Sequence, residues 1–321
     1  MKIFIQRMLF FLLLFMVSFS LLVVLNYYLV NSEQMTTIKN RNILLLGDSN
    51  MQCAINDSIF KSAINLAASS DSYFYSYLKL KRMVNSNSDI DTVLLSFSPH
   101  NLFENGWLLN DENIYSKIQT YYTIMDWDDF VFLFYRNPRA VVSSSSPIIK
   151  RTLLNTIKKI TNTKINAPFG GFLNLNRNIL HEVQIKLKNG EPLPFFKIPN
   201  SFIVSTEEEE YLNKIISLCR IYKIKLYLIN LPKRIELLQY PKYGVNTFNK
   251  LYDSKYRDID FIDCSNLELP DDNYGDFVHL NSKGSSQFSS LLQIKGLKCI
   301  NERYNRNKAH GGNFSYPQAG F

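Results

Sequence analysis

A serine hydroxyl attacks a carbonyl carbon only when a neighbouring base takes its proton. Two short segments of this 321-residue chain could supply that pair. The first is Ile43-Leu44-Leu45-Leu46-Gly47-Asp48-Ser49-Asn50. Its four apolar residues read as a short buried strand, Gly47 and Asp48 break it, and Ser49 lands on the turn that follows. A serine on a sharp turn off a strand end is held out at the edge of a sheet. The second is Asp276-Phe277-Val278-His279. If that segment turns, the Asp276 carboxylate meets one imidazole nitrogen of His279, and the other nitrogen is left to act as a base. His279 lies 230 residues beyond Ser49, so only a fold can join them.

The elements between the two segments alternate. After the Ile43 strand, Ala63 to Ala67 reads as a second strand and Tyr73 to Val84 as a helix, with Phe74, Tyr77 and Leu78 at helical spacing. Thr92 to Phe97 is a third strand, ending in Ser98-Pro99-His100-Asn101. The alternation resumes where Thr206 caps a helix that carries Glu207 to Glu210 in its first turn, where the helix dipole favours negative charge. Lys225 to Leu231 is a fourth strand, Asp260 to Asp263 begins a fifth, and Ser282 caps a last helix through Leu292. Apolar strands separated by helical stretches imply an α/β fold, a parallel sheet of about five strands covered on both faces.

Gly-Asp-Ser just after the first strand, with Asp-x-x-His near the end of the domain, resembles the SGNH/GDSL hydrolase superfamily. The resemblance covers roughly residues 42–101 and 206–293. It implies a three-layer α/β/α, flavodoxin-like domain with Ser49, His279 and Asp276 as the catalytic set. It also implies an oxyanion hole of three donors: the Ser49 backbone N–H, a glycine N–H after the second strand, and an asparagine side chain after the third. Asn101 stands at the asparagine's position, within Ser-Pro-His-Asn rather than the usual Gly-x-Asn-Asp wording. The glycine is absent; Ser69 or Ser70 takes its approximate place, with Ser70 the expected donor. Asp48 is expected to hold the turn through hydrogen bonds, and His100 lies close enough to contact substrate. The chemistry calls for no cofactor and no metal.

The N-terminus adds a location. Lys2 and Arg7 precede an apolar run from Met8 to Leu25 with an aromatic fringe, near the ~20 residues needed to cross a bilayer. The flanking charges keep the N-terminus cytoplasmic and put the rest outside. A cleaved signal peptide is the competing reading, but the run is long and no small-residue cleavage site follows. The expected organisation is an anchor and tether over 1–41, an α/β domain over 42–293 and a polar tail over 294–321. An anchored domain of this kind looks like the membrane-tethered proteins of envelope polysaccharide O-acetylation and teichoic acid D-alanylation. That likeness implies a bacterial envelope glycan or acyl ester as substrate and a multi-span membrane acyltransferase as partner. The reaction would be ester hydrolysis or O-acyl transfer through a Ser49 acyl-enzyme. The rival reading is an inactive scaffold that binds glycan or an assembly partner.

Two further stretches leave alternatives open. Residues 102–205 break the alternation and read as an insertion at the sheet's C-terminal edge, where lids and substrate walls form. Within it, Arg136 to Lys164 holds seven basic residues and no acidic one, with Ile149, Leu153, Ile157 and Ile160 at helical spacing. That stretch is either an ordinary cap helix, the favoured reading, or a basic amphipathic helix lying on a membrane or an anionic polymer. The net charge of +8 favours anionic neighbours, but no nucleic-acid motif accompanies it. Four cysteines form no C-x-x-C pair; buried reduced thiols are favoured over a Cys264–Cys299 bridge.

Overall fold

A computed structural model of the chain describes residues 1–34, 41–85, 89–102, 111–163, 169–178, 185–186, 188–191, 203–234, 242–265, 267, 269–276 and 278–294. Five strands make one parallel sheet: β1 (Ile43–Leu46), β2 (Ala63–Asn65), β3 (Thr92–Ser96), β4 (Lys225–Asn230) and β5 (Asp260–Asp263), in the order β2-β1-β3-β4-β5. Both faces are covered, which is why the strands are apolar runs rather than alternating ones. Leu44, Leu46, Val93, Leu95, Leu226 and Leu228 point to one core. It is closed by α3 (Tyr73–Asn85), α9 (Thr206–Ile221) and Phe248 of α10 (Lys242–Leu251). Leu45, Leu94, Tyr227, Ile229 and Ile262 point to the other, closed by α2 (Ser49–Ala54) and by α11, residues 282–294. The three-layer α/β expectation stands.

The chain departs from the sequence reading at element ends. β2 stops at Asn65 rather than Ala67, because the Asn65 side chain turns the backbone: its Oδ1 accepts the Ala67 N–H at 2.9 Å while its Nδ2 donates to the Ile55 carbonyl. Thr206 is the first residue of α9, not its cap; Ser205 accepts the Glu208 N–H. Likewise Ser282 opens α11 and Asn281 caps it, accepting N–H bonds from Lys283 and Gly284. In each case the polar side chain one residue earlier takes the first N–H groups of the helix, and Ser205 has the extended backbone that a cap requires.

Residues 102–205 carry no strand among those described. They form α5 (Asp111–Tyr121), a 3₁₀ turn (Tyr122–Ile124), α6 (Trp127–Arg136), α7 (Pro138–Ser143) and α8 (Ser145–Ile160), preceded by α4 (Pro99–Leu102). A buried ion cluster fastens this cap to the body. Asp71, after β2, receives Lys79 from α3 and Lys117 from α5, and Tyr121 donates to it at 3.0 Å. The N-terminal helix α1 (Lys2–Gln34) contains the one span, Lys2–Leu25, long and apolar enough to cross a membrane among the described residues. It packs against α8 and the 3₁₀ turn.

Candidate active site

In a sheet of this order the first two strands are laid down in one direction and the next three in the other. The crevice between β1 and β3, at their carboxyl ends, is the place where such sheets bind ligands. Ser49 follows β1 and the His100-Asn101 pair follows β3, so the two flank that crevice.

Gly47 sets the approach of the serine turn. Its φ is +140°, and a Cβ there would lie 2.4 Å from Cβ of Ser96 on β3. Only glycine lets β1 leave the sheet this close to its neighbour. Asp48 then caps α2 by accepting the Asn50 N–H at 3.0 Å, and Ser49 is the helix's first residue. Ser49 itself is therefore not the cap, and its hydroxyl is left for another partner.

That partner is His279. The ring's Nε2 lies 2.8 Å from Ser49 Oγ, and its Nδ1 lies 2.9 and 2.8 Å from the two Asp276 oxygens. The loop that presents them is closed by a bridge between Tyr274 and Leu280 and by the Gly275 N–H on the His279 carbonyl. Asp276 Oδ1 also accepts the backbone N–H groups of Val278 and His279 at 3.0 and 2.8 Å. Burial would raise the Asp276 carboxyl, but the His279 hydrogen bond and charge and these two N–H bonds outweigh it and hold it below its ordinary value. An ionised carboxylate only accepts, so the Nδ1 it faces carries the proton and Nε2 presents a lone pair to Ser49. After β5 the chain swings back along β1: α11 hands Ser289 Oγ to the Asn56 N–H and Gln293 to the Lys61 N–H, which sets His279 over Ser49.

A second carboxylate–histidine pair lies on the other side of the serine. Asp48 Oδ2 sits 2.5 Å from His100 Nε2 and accepts from Asn101 Nδ2 at 3.0 Å. With its nitrogen committed to Asp48, the Asn101 amide turns Oδ1 to Ser98 Oγ, which donates to it at 2.7 Å. Ser98 Oγ is also 2.7 Å from His100 Nδ1 and has no second proton, so Nδ1–H must be the donor. The other ring nitrogen, Nε2, faces the Asp48 carboxylate. Asn50 Nδ2 lies 3.1 Å from the same Nε2. Burial alone would raise the Asp48 carboxyl; His100, Lys233 and Asn101 outweigh it and hold Asp48 well below the usual carboxylate range.

Among the expected oxyanion donors, Asn101 is thus engaged with Asp48. Ser70 lies on the turn after β2 with left-handed backbone, φ +58°. That turn is braced from the cap. Lys117 donates to the Ser69 carbonyl, Gln52 accepts the Ser69 N–H at 2.9 Å, and the Gly171 N–H bonds the Ala67 carbonyl. Gly170, at φ +133°, lies so close that a Cβ would sit 2.2 Å from the Leu66 carbonyl oxygen. From there residues 171–178 run along the site: the Leu173 N–H bonds the Gln52 carbonyl, the Leu175 carbonyl accepts the Ser282 N–H, and Arg177 reaches Asp276 at 3.3 Å.

Sequence reasoning missed Arg177, Lys117 and Lys233. Lys233, just past β4, is buried. Burial lowers it to about 8, against the fields of Asp48 and Asp263. Gly170-Gly171 was the visible signal for the brace, a break in an otherwise glycine-poor insertion. Nothing local marked the two lysines. Cys53, Cys219 and Cys264 are buried free thiols, each pushed up to about 12 chiefly by burial, which disfavours the reactive thiolate. Cys299 and His181 lie outside the described residues.

The class that the sheet defines is a doubly wound α/β protein. A family model matches residues 196–298, less than half of the chain, and brings no activity with it. No curated protein matches. Among solved structures the chain is similar to the crystal structure of a "putative acylhydrolase" from Bacteroides fragilis NCTC 9343. Identity is 10%, 84% of this chain and 93% of that chain are covered, and the TM-score is 0.36.

Proposed function

We propose that the protein is an SGNH-type serine acyl ester hydrolase or O-acyltransferase. The observation that carries this reading is the run Ser49 Oγ–His279 Nε2–His279 Nδ1–Asp276, with contacts of 2.8 Å at each end. His279 takes the Ser49 proton as Oγ attacks an acyl carbon, and the resulting imidazolium is stabilised by Asp276. The alcohol leaves with that proton, and the acyl group stays on Ser49 until water or a sugar hydroxyl accepts it. Backbone N–H groups of Ser49 and Ser70 and the second amide hydrogen of Asn101 are the donors we assign to the tetrahedral oxygen. We place the domain at 42–293, on the outer side of a bacterial membrane crossed once by α1. Lys2 and Arg7 support that sidedness, and an envelope glycan ester is the substrate class it favours.

The test is hydrolysis of p-nitrophenyl acetate by the full chain in detergent, beside Ser49→Ala and His279→Ala. Each variant should lose activity by a factor of about 10³ or more. Equal rates in all three would sink the assignment. One observation favours a second reading, a non-catalytic scaffold: the Asn101 amide is already bonded to Asp48. Covalent labelling by a fluorophosphonate, in the parent but not in Ser49→Ala, would remove it.

A further inference from the structure

α8 is inside out for a helix in water. The side chains it buries are Ile148, Thr152 and Asn155. Thr152 satisfies its hydroxyl inside, on the Ile148 carbonyl at 2.8 Å and the Tyr122 hydroxyl at 3.0 Å. Its outer face carries Leu153, Leu154, Ile157 and Ile160, which are 45, 48, 56 and 80% exposed with α1 already packed in place. Positions i, i+1, i+4 and i+7 form one stripe, the pattern that ordinarily faces a core. The helix has Lys150, Arg151, Lys158 and Lys159 and no acidic residue. α6, joined to it through α7, exposes Trp127 and Tyr135, residue types that favour the membrane–water boundary.

The depth of α1 says what covers that stripe. Phe19 packs against the domain's core cluster, and the apolar span ends at Leu25. Six residues of helix rise about 9 Å, so a domain that touches Phe19 reaches about that far below the end of the span. An interfacial amphipathic helix buries its apolar face to about 5–10 Å. We infer that the outer face of α8 is bedded in the same bilayer that α1 crosses, with Leu153, Leu154, Ile157 and Ile160 among the acyl chains and the flanking lysines at anionic head groups. The cap is then a monotopic element. Through Lys117 and Tyr121 on Asp71 it holds the turn that carries Ser70 close to the membrane surface. The inference rests on α1 spanning the bilayer and is independent of the chemistry at Ser49.

The test places one tryptophan at a time in the full chain, with Trp107→Phe and Trp127→Phe as background. Ile157→Trp and Ile160→Trp report on α8, and Ser217→Trp reports on the exposed side of α9. Each is reconstituted into vesicles of phosphatidylglycerol and phosphatidylcholine, with and without brominated acyl chains. Thermal unfolding that matches the parent certifies each fold. Because Ile160 is the most exposed position, a ring there meets the fewest protein neighbours. Bromine should quench emission at both α8 positions by about two-fold or more and leave Ser217→Trp unchanged. Unquenched, water-like emission from the α8 positions would overturn the inference. Blue-shifted but unquenched emission would overturn it too, since protein, such as a second copy of the chain, would then cover the face.

Discussion

α8 and α9 are both sixteen-residue helices with apolar residues at helical spacing, and they use that pattern in opposite senses. α9 turns Tyr211, Leu212, Ile215, Ile216 and Cys219 to the core and sends its charges, Glu208 excepted, outward. α8 turns Ile148, Thr152 and Asn155 to the domain and Leu153, Leu154, Ile157 and Ile160 away from it. Periodicity reports that a helix has an apolar face. It does not report whether that face meets a protein core or another apolar phase.

The contrast can be tested by substitution. The largest effect should come from Asp71→Asn, which leaves Lys79 and Lys117 buried without their carboxylate. Breaking a buried pair costs about 3–5 kcal/mol, so chemical denaturation should show that loss and cap and body should cease to unfold together. Leu212→Ala on α9 follows, at about 3 kcal/mol for a fully buried leucine. The matched substitution Leu154→Ala on α8 should change the stability of the detergent-solubilised chain by less than about 0.5 kcal/mol. Equal costs for the two leucines would erase the distinction between the helices.

Glu208 on α9 gives a smaller, pH-dependent effect. Burial raises its carboxyl to about 8, although it accepts the Tyr73 N–H at 2.8 Å. The folded chain therefore keeps this proton where the unfolded chain, at an ordinary 4.5, has lost it. Stability should fall as pH rises from about 4.5 to about 8 and then level off. Glu208→Gln carries no charge to bury, so it should be more stable than the parent at pH 7 by on the order of 2 kcal/mol. That gain should vanish toward pH 4.5 in a series of thermal melts.

Much of the body could be read from the chain. A four-residue apolar run such as Ile43–Leu46, bounded by Gly47, reads as a short strand buried on both faces, and Gly47 marks where it must turn. The Asp276-x-x-His279 spacing let one carboxylate reach one ring because a three-residue turn is a local event. The one-residue errors at Thr206 and Ser282 arose where two polar residues stand side by side. Which of them takes the extended backbone depends on how the chain arrives.

The sequence by itself determined the strand–helix alternation, the serine turn and the pairing of Asp276 with His279, because each depends on residues within a few positions of one another. Only the tertiary structure decided the rest. Sheet order brought His100 and Asn101 beside Asp48, and engaged the amide on which an oxyanion role would depend. The cap brought Lys117 to Ser69 and Arg177 to Asp276, over separations of 48 and 99 residues. Such contacts carry no local pattern: a lysine bound for a buried carboxylate and one bound for water look alike until the chain closes around one of them.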